Sequence, residues 1–432
     1  MASTHGMRAR TLVILTSLAL ALLLLAPAGA AAGLKAKIDA ALQRHGMSGS
    51  GTSVAVYDLT SKRYLYSLRW DALRLPASNE KLVTSAAALA TWPATHRFTT
   101  QLFIDGAAPD EEGVVRGNVY LRGLGDPSLS TTAFQERRLR FRTSNIRDFV
   151  TRLRTLGVKR ITGRVVADDG YFDRARTVST WRPSVLGYCG PLSALTLNTG
   201  VGADDRYVRD PSLWAAGKLT KLLRAAGVRV VHAASRGVVP ATATLVHTER
   251  SATLKRLLAA MNKPSDNFIA EELLKGIGAS ASGADTSTGG AGTTAAGAAA
   301  AKRYLAGAGI TKGFRIRDGS GLSYQNKLSA HTVVRILGVA SRRADFTVFL
   351  RSLAVAGVDG TLRYRMRGTP AAGNVRAKTG TLAAASSLSG YVTTANRHTL
   401  TFAILMNGSS LPVAQAQAAQ DAVAVALARS RP

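Results

Sequence analysis

Between Pro76 and Leu89 the chain reads PASNEKLVTSAAAL, and no other stretch restricts it as much. Pro76 and Ala77 form a turn and the residues after them favour helix, which places Ser78 at a helix N-terminus. Lys81, three residues on, shares its helical face. A helix this rich in alanine and leucine is a buried one. A lysine taken into it loses basicity by desolvation and lies within reach of the serine hydroxyl, as a general base must. The competing outcome is a serine that only caps the helix beside a solvated lysine. Ser-x-x-Lys is a common pattern, so the choice rests on the rest of the chain.

With 432 residues, 46% of them hydrophobic, the chain can build two or three domains with their own cores, which excludes a disordered or fibrous protein. Arg8 and Arg10 precede an apolar run from Thr11 to Ala26, interrupted only by Thr and Ser, and Ala28-Gly29-Ala30 follows. This predicts a secretory signal peptide over residues 1–30. The run is short of the ~20 residues of a spanning helix, with a retained membrane anchor as the alternative. The mature chain is therefore expected outside the cytoplasmic membrane, in periplasm, cell wall or medium. Its single cysteine, Cys189, allows no internal disulfide. Cys189 is read as a small buried residue beside a turn, and neither a metal nor a cofactor is expected. Lys and Arg number 56 against 26 Asp and Glu, a formal charge of +30. Outside a cell such a charge meets anionic lipid or phosphate-bearing wall polymers. The spread of the charge, with no helix-turn-helix or zinc-finger spacing, excludes nucleic acid as the expected partner.

In chain order, Leu34 to Gly46 has helical spacing, Gly51 to Leu68 is a β-hairpin, and the Ser78 helix follows. From Phe98 the character changes to short strands (Val114 to Arg122, Gly163 to Asp168, Val228 to Val231) broken by turn clusters, with one helix, Asn145 to Leu156, stopped by Gly157. Leu254 to Met261 and Phe268 to Leu274 are helices broken at Pro264, which places Ser265 and Asn267 on a connecting loop. Ala279 to Ala298 is low in complexity and reads as a mobile loop without chemistry that runs into a helix ending at Leu305. The tight turn Asp318-Gly319-Ser320-Gly321-Leu322-Ser323 precedes a helix over Ala330 to Ala340. Lys378-Thr379-Gly380 opens an edge strand of an antiparallel sheet completed by Leu388 to Thr393 and Thr399 to Asn407, with the first helix and the last, Val413 to Ala428, bracketing it.

Three weak patterns thus stand in a fixed order: Ser78-x-x-Lys81, Ser265-Asp266-Asn267 and Lys378-Thr379-Gly380. With them the chain resembles the penicillin-recognising serine acyl enzymes, and most of all the DacB-like D-alanyl-D-alanine carboxypeptidase/endopeptidases, the class C low-molecular-mass penicillin-binding proteins. The wide gap between the first two patterns, together with Gly125-Asp126-Pro127-Ser128 and Gly163 to Asp168, supports that resemblance. It implies an α+β fold in which residues 34–97 and 245–432 form a discontinuous penicillin-binding catalytic domain. Residues 98–244 would be an inserted strand-rich region, one or two small domains nested within it.

The resemblance assigns roles residue by residue. Ser78 would be the acylated nucleophile and Lys81 its base. Ser265, helped by Lys378, would pass a proton to the departing amine, while Asn267 holds the substrate amide. Thr379 and Thr381 would bind the terminal D-alanine carboxylate beside Gly380, with the backbone N–H groups of Ser78 and Thr381 as oxyanion hole. Asp168 either meets the free amine of a diamino acid in the stem peptide or caps its own turn. Peptidoglycan stem peptides are the implied substrate and β-lactams covalent inhibitors. The chain departs from many relatives at Tyr324, where they carry an arginine, and at Glu80, expected to point to solvent. No histidine falls in a site loop with a partner acid, so a Ser-His-Asp machine lacks its parts. After Glu272 there is no further glutamate, whereas class A β-lactamases carry a deacylating Glu after the Ser-Asp-Asn pattern. A β-lactamase or esterase is thereby disfavoured. A non-catalytic wall-binding homologue is the other alternative, and the presence of every motif side chain counts against it.

Overall fold

The structure, a computed structural model, describes residues 33–283 and 292–432. The expected signal peptide and residues 284–291 of the low-complexity stretch lie outside the described residues. The fold is α+β. Its centre is a six-stranded sheet in the order Ala354–Val355, Arg376–Leu382, Ala385–Thr393, Thr399–Asn407, Thr52–Asp58, Arg63–Leu68. Every neighbouring pair is antiparallel, and Val54 faces Ile404 where the N-terminal hairpin joins the C-terminal strands.

Alternation along these strands divides the core in two. Val54, Val56, Phe402 and Ile404 face Ile38 and Leu42 of the helix at 33–44 and Val423 and Leu427 of the helix Val413–Arg429. Ala55, Ala403 and Leu405 point the other way, into a core filled by the helices Glu80–Thr91, Leu254–Asn262, Asn267–Ala281, Thr294–Gly307 and Ala330–Ser341. The terminal helices therefore share one face instead of bracketing the sheet, because the larger helical layer already covers the other.

Between the hairpin and the second pattern the chain builds a five-stranded mixed sheet, Thr244–Arg250, Thr99–Ile104, Val119–Gly123, Val165–Asp168 and Ser235–Arg236, beside a three-stranded parallel one. Thr244–Arg250 pairs along the whole of Thr99–Ile104, so the hydrogen bonding of this region runs on to Arg250. It holds two long helices where one was expected. Besides Ile146–Thr155 there is Pro211–Ala225, started by Pro211 and by Asp210, whose carboxylate accepts from Leu213 N at 3.0 Å. Its buried face, Ala215, Ala216, Leu219 and Leu223, is half alanine, too weak a contrast to stand out as periodic.

The low-complexity stretch also differs from expectation. Residues 279–281 end one helix and 294–298 begin the next, capped by Thr293. A Cβ on Gly297 would lie 2.0 Å from Leu274 O, and one on Gly278 would lie 2.7 Å from Gly297 N. The small residues there bring two helices into contact. Among the described residues no helix is long and apolar enough to cross a membrane.

Candidate active site

Ser78 lies in the single 3-10 turn Ala77–Asn79 that leads into Glu80–Thr91. Two anchors press this turn onto the central sheet: Ser387 Oγ donates to Pro76 O at 2.8 Å, and Asn79 Nδ2 donates to Ser389 Oγ at 2.7 Å. Ala77 takes a left-handed φ of 46°, local strain that the anchors hold in place beside Ser78. Gly380 completes the junction. A Cβ there would lie 2.3 Å from Ser387 Oγ and 2.9 Å from Ser78 N, so only glycine lets the strand Arg376–Leu382 come this close to the serine backbone.

Lys81 is fully buried, and its ammonium donates to Ser78 Oγ at 3.0 Å, Asn267 Oδ1 at 2.7 Å and Ser320 O at 2.7 Å. Burial lowers its pKa to about 8, against the opposing pull of the Asp318, Glu271 and Asp266 carboxylates. Lys378, equally buried, donates to Ser265 Oγ at 2.9 Å, and burial with the neighbouring Lys81 charge holds it well below the usual lysine range. Two lysines of lowered basicity thus each reach a serine hydroxyl. Ser265 sits on the loop with φ 68°, whereas Asn267 is the first residue of the helix Asn267–Ala281, capped by Asp266, whose carboxylate accepts from Ile269 N at 2.8 Å. Asn267 also donates to Tyr188 O at 2.9 Å, which ties the inserted region to the rim of the site.

A buried carboxylate pair that the sequence did not single out shapes the floor. Glu271 accepts from Gly319 N and Ser320 N, and Asp318 accepts from Gly321 N, Ser323 N, Asn326 Nδ2 and Trp181 Nε1. Together they fix the glycine turn so that Ser320 O faces the Lys81 amine. The available signal was spacing: Glu271 lies four residues beyond Asn267, on the same helical face. Glu80 does not point to solvent. It is fully buried, and among the described residues neither carboxylate oxygen has a hydrogen-bond partner.

Thr379 donates to Thr361 Oγ1 at 2.7 Å, and Thr381 is exposed two residues on. Asp168 shares no hydrogen bond with this cluster. Its carboxylate, 4% exposed, takes Arg122 Nε at 3.0 Å and the N–H groups of Gly170 and Val239 at 3.0 Å. A turn-capping residue paired with Arg122 describes it better than a free acid awaiting an amine. At Tyr324 the guanidinium of Arg182 stacks 4.0 Å above the ring, so a cation from the inserted region lies over that position. Cys189 is buried, which raises its thiol pKa well above the usual value.

Among the described residues no histidine bonds to Ser78, Ser265 or either lysine. Buried lysines bonded to serine hydroxyls on a helix-flanked antiparallel sheet are the arrangement of the penicillin-binding serine hydrolases. Within that class the chain belongs to the D-Ala-D-Ala carboxypeptidase 3 (S13) family, whose model matches residues 34–204 and 203–430. It is 33% identical to the D-alanyl-D-alanine carboxypeptidase of Actinomadura sp. (strain R39), over 98% of this chain and 90% of that one. A carboxypeptidase of Mycobacterium tuberculosis is 29% identical over 82% of this chain and 75% of its own length. The crystal structure of penicillin-binding protein 4 (dacB) from Haemophilus influenzae shares the fold, with a TM-score of 0.75 at 21% identity over 89% of this chain and 98% of that one. The chain is a serine-type D-Ala-D-Ala carboxypeptidase.

Proposed function

We propose that the protein is exported and hydrolyses the D-Ala-D-Ala bond, or a D-alanyl cross-link, of peptidoglycan stem peptides through an acyl-enzyme on Ser78. The observation that carries this mechanism is the 3.0 Å bond from the buried Lys81 amine to Ser78 Oγ. In its neutral form Lys81 takes the hydroxyl proton as Oγ attacks the carbonyl carbon of the penultimate D-alanine. The N–H groups of Ser78 and Thr381 receive the developing oxyanion, and Asn267 holds the peptide amide. Ser265, polarised by Lys378, hands its proton to the amine nitrogen as the C–N bond breaks and regains one relayed from Lys81, so that D-alanine leaves with Ser265 again a hydroxyl and Lys81 again neutral. Water then attacks the ester carbonyl, Lys81 takes its proton, and the C–O bond to Ser78 breaks with return of that proton to Oγ. Thr379 and Thr381 bind the C-terminal carboxylate beside Gly380.

A β-lactam mimics the acyl donor but keeps its leaving group tethered. The Haemophilus protein has been solved in complex with a β-lactam. Among the described residues around Ser78 there is no solvated carboxylate placed to activate a deacylating water: Glu271 and Asp318 are committed to backbone amides, and Glu80 is buried. Intact-mass spectrometry with benzylpenicillin should therefore find one long-lived penicilloyl group, mapped to Ser78. Ser78→Ala should lose both the adduct and release of D-alanine from a D-Ala-D-Ala peptide. Rapid turnover of drug, or release that survives the substitution, would overturn the assignment. The +30 charge supports retention on anionic wall polymer as a second property of the whole molecule.

A further inference from the structure

Thr361 belongs to the short turn Gly360–Leu362, which nothing in the motif pattern marks. This turn is bolted to the residue two before Ser265: Thr361 N donates to Lys263 O at 2.9 Å, and the Lys263 ammonium pairs with Asp359, which also accepts from Val355 N at 2.9 Å. Gly360 has φ +56°, and a Cβ on it would lie 2.5 Å from Lys263 O, so the turn cannot pull away without losing a close backbone contact. From this fixed base the Thr361 hydroxyl reaches Thr379 Oγ1 at 2.7 Å, the one side-chain link between this turn and the Lys-Thr-Gly strand among the described residues.

We propose that Thr361 is a positioning residue for the substrate carboxylate: it holds the Thr379 hydroxyl in register with the Ser265–Lys378 pair and serves as its second hydrogen-bond partner. In the empty site Thr379 gives its proton to Thr361. When a carboxylate arrives, that proton turns to the anion, and Thr361, in turn, donates to the lone pair left on Thr379 Oγ1. The hydroxyl bonds to Thr361 in the empty site and to both the anion and Thr361 in the occupied one, and its donation to the anion is strengthened by the donor behind it. The inference rests on the reading of Thr379 as a carboxylate ligand, and the test separates the two.

Two thioesters with the same acyl part are compared, one with a thiolactate leaving group that bears the carboxylate and one with ethanethiol, which lacks it. Thr361→Val removes the hydroxyl and keeps the shape. It should lower kcat/KM on the thiolactate ester about tenfold, mainly through KM, with less than a twofold loss on the ethanethiol ester. Thr361→Ser should recover the thiolactate activity, and an unchanged Tm would show that the turn is intact. Thr379→Val, measured alongside, must show the same selectivity. If Thr379→Val is selective and Thr361→Val is not, or if serine fails to rescue, the role of Thr361 is overturned. If Thr379→Val is itself unselective, the carboxylate reading falls and this inference with it.

Discussion

If Lys81 is the base, as proposed, it sets the pH at which Ser78 can be activated. With its pKa lowered to about 8 by burial, roughly a tenth of it is neutral at pH 7. Only the deprotonated amine accepts the Ser78 proton, so the benzylpenicillin acylation rate should rise about tenfold per pH unit up to about 8 and level off above it. A flat profile from pH 5.5 to 9 would remove Lys81 from the role of base. Glu80, one residue away, follows the opposite rule. Burial, then the Asp318 and Glu271 carboxylates, push its pKa well above the usual carboxylate range, which favours its neutral form. A folded-state pKa raised this way means the native protein holds a proton the unfolded chain has released, so this stability is present below about pH 4.5 and is lost as pH rises. Glu80→Gln, which fixes the neutral shape, should match the parent Tm near pH 4.5 and exceed it increasingly towards pH 8, by up to several degrees. An equal Tm difference at both pH values would argue against a protonated Glu80. Sequence placed Glu80 in solvent because a carboxylate is almost never buried unpaired. Its helix is buried on every side for its first ten residues, Glu80 to Leu89, a fact only packing reveals.

Among the elements, the junction of the Ser78 turn with the strand Arg376–Leu382 decides whether there is a site at all. That strand is an edge only in part, since Ala354–Val355 pairs with its first two residues and leaves Lys378 to Leu382 without an outer neighbour. The open edge leaves the backbone of Lys378 to Leu382 free to line a cleft. Gly380→Ala should reduce acylation at least a hundredfold and lower Tm, because the methyl would strike Ser387 Oγ, Pro76 O and Ser78 N at 2.3–2.9 Å. Acylation at the parent rate would mean that the strand and turn separate without consequence. Helix ends were legible where a breaker stood, at Pro264 before the second pattern and at Gly157 after Asn145 to Leu156. Pro211–Ala225 was not, because alanine and Gly217 blur its face, and the reach of Asn267–Ala281 and Thr294–Gly307 towards residues 284–291 was hidden by the very small side chains that let them touch.

At the scale of the whole molecule, the sheet is closed by strands from both ends of the chain, and the inserted region reaches back through Trp181 to Asp318 and through Tyr188 O to Asn267. The site is therefore assembled only in the full fold, and the inserted region is one of its walls. Net charge acts at this scale too. If the +30 charge holds the protein on wall polymer, co-sedimentation with a purified poly(glycerol phosphate) should be strong at low salt and fall severalfold by 0.5 M NaCl, where the Debye length is about 4 Å. Salt-insensitive binding would point to a specific contact instead. Order and spacing of residues by themselves determined the three patterns and the residue types able to do the chemistry, since these depend on local periodicity, turn formers and composition, and through the patterns the resemblance that implied the fold class. Tertiary structure alone decided the rest: that Glu80 is buried, that Asp168 is taken by Arg122, that Glu271 and Asp318 aim Ser320 O at Lys81, and that Thr361 meets Thr379. Burial and hydrogen-bond partners across gaps of 18 to 239 residues are properties of packing, which no local pattern encodes.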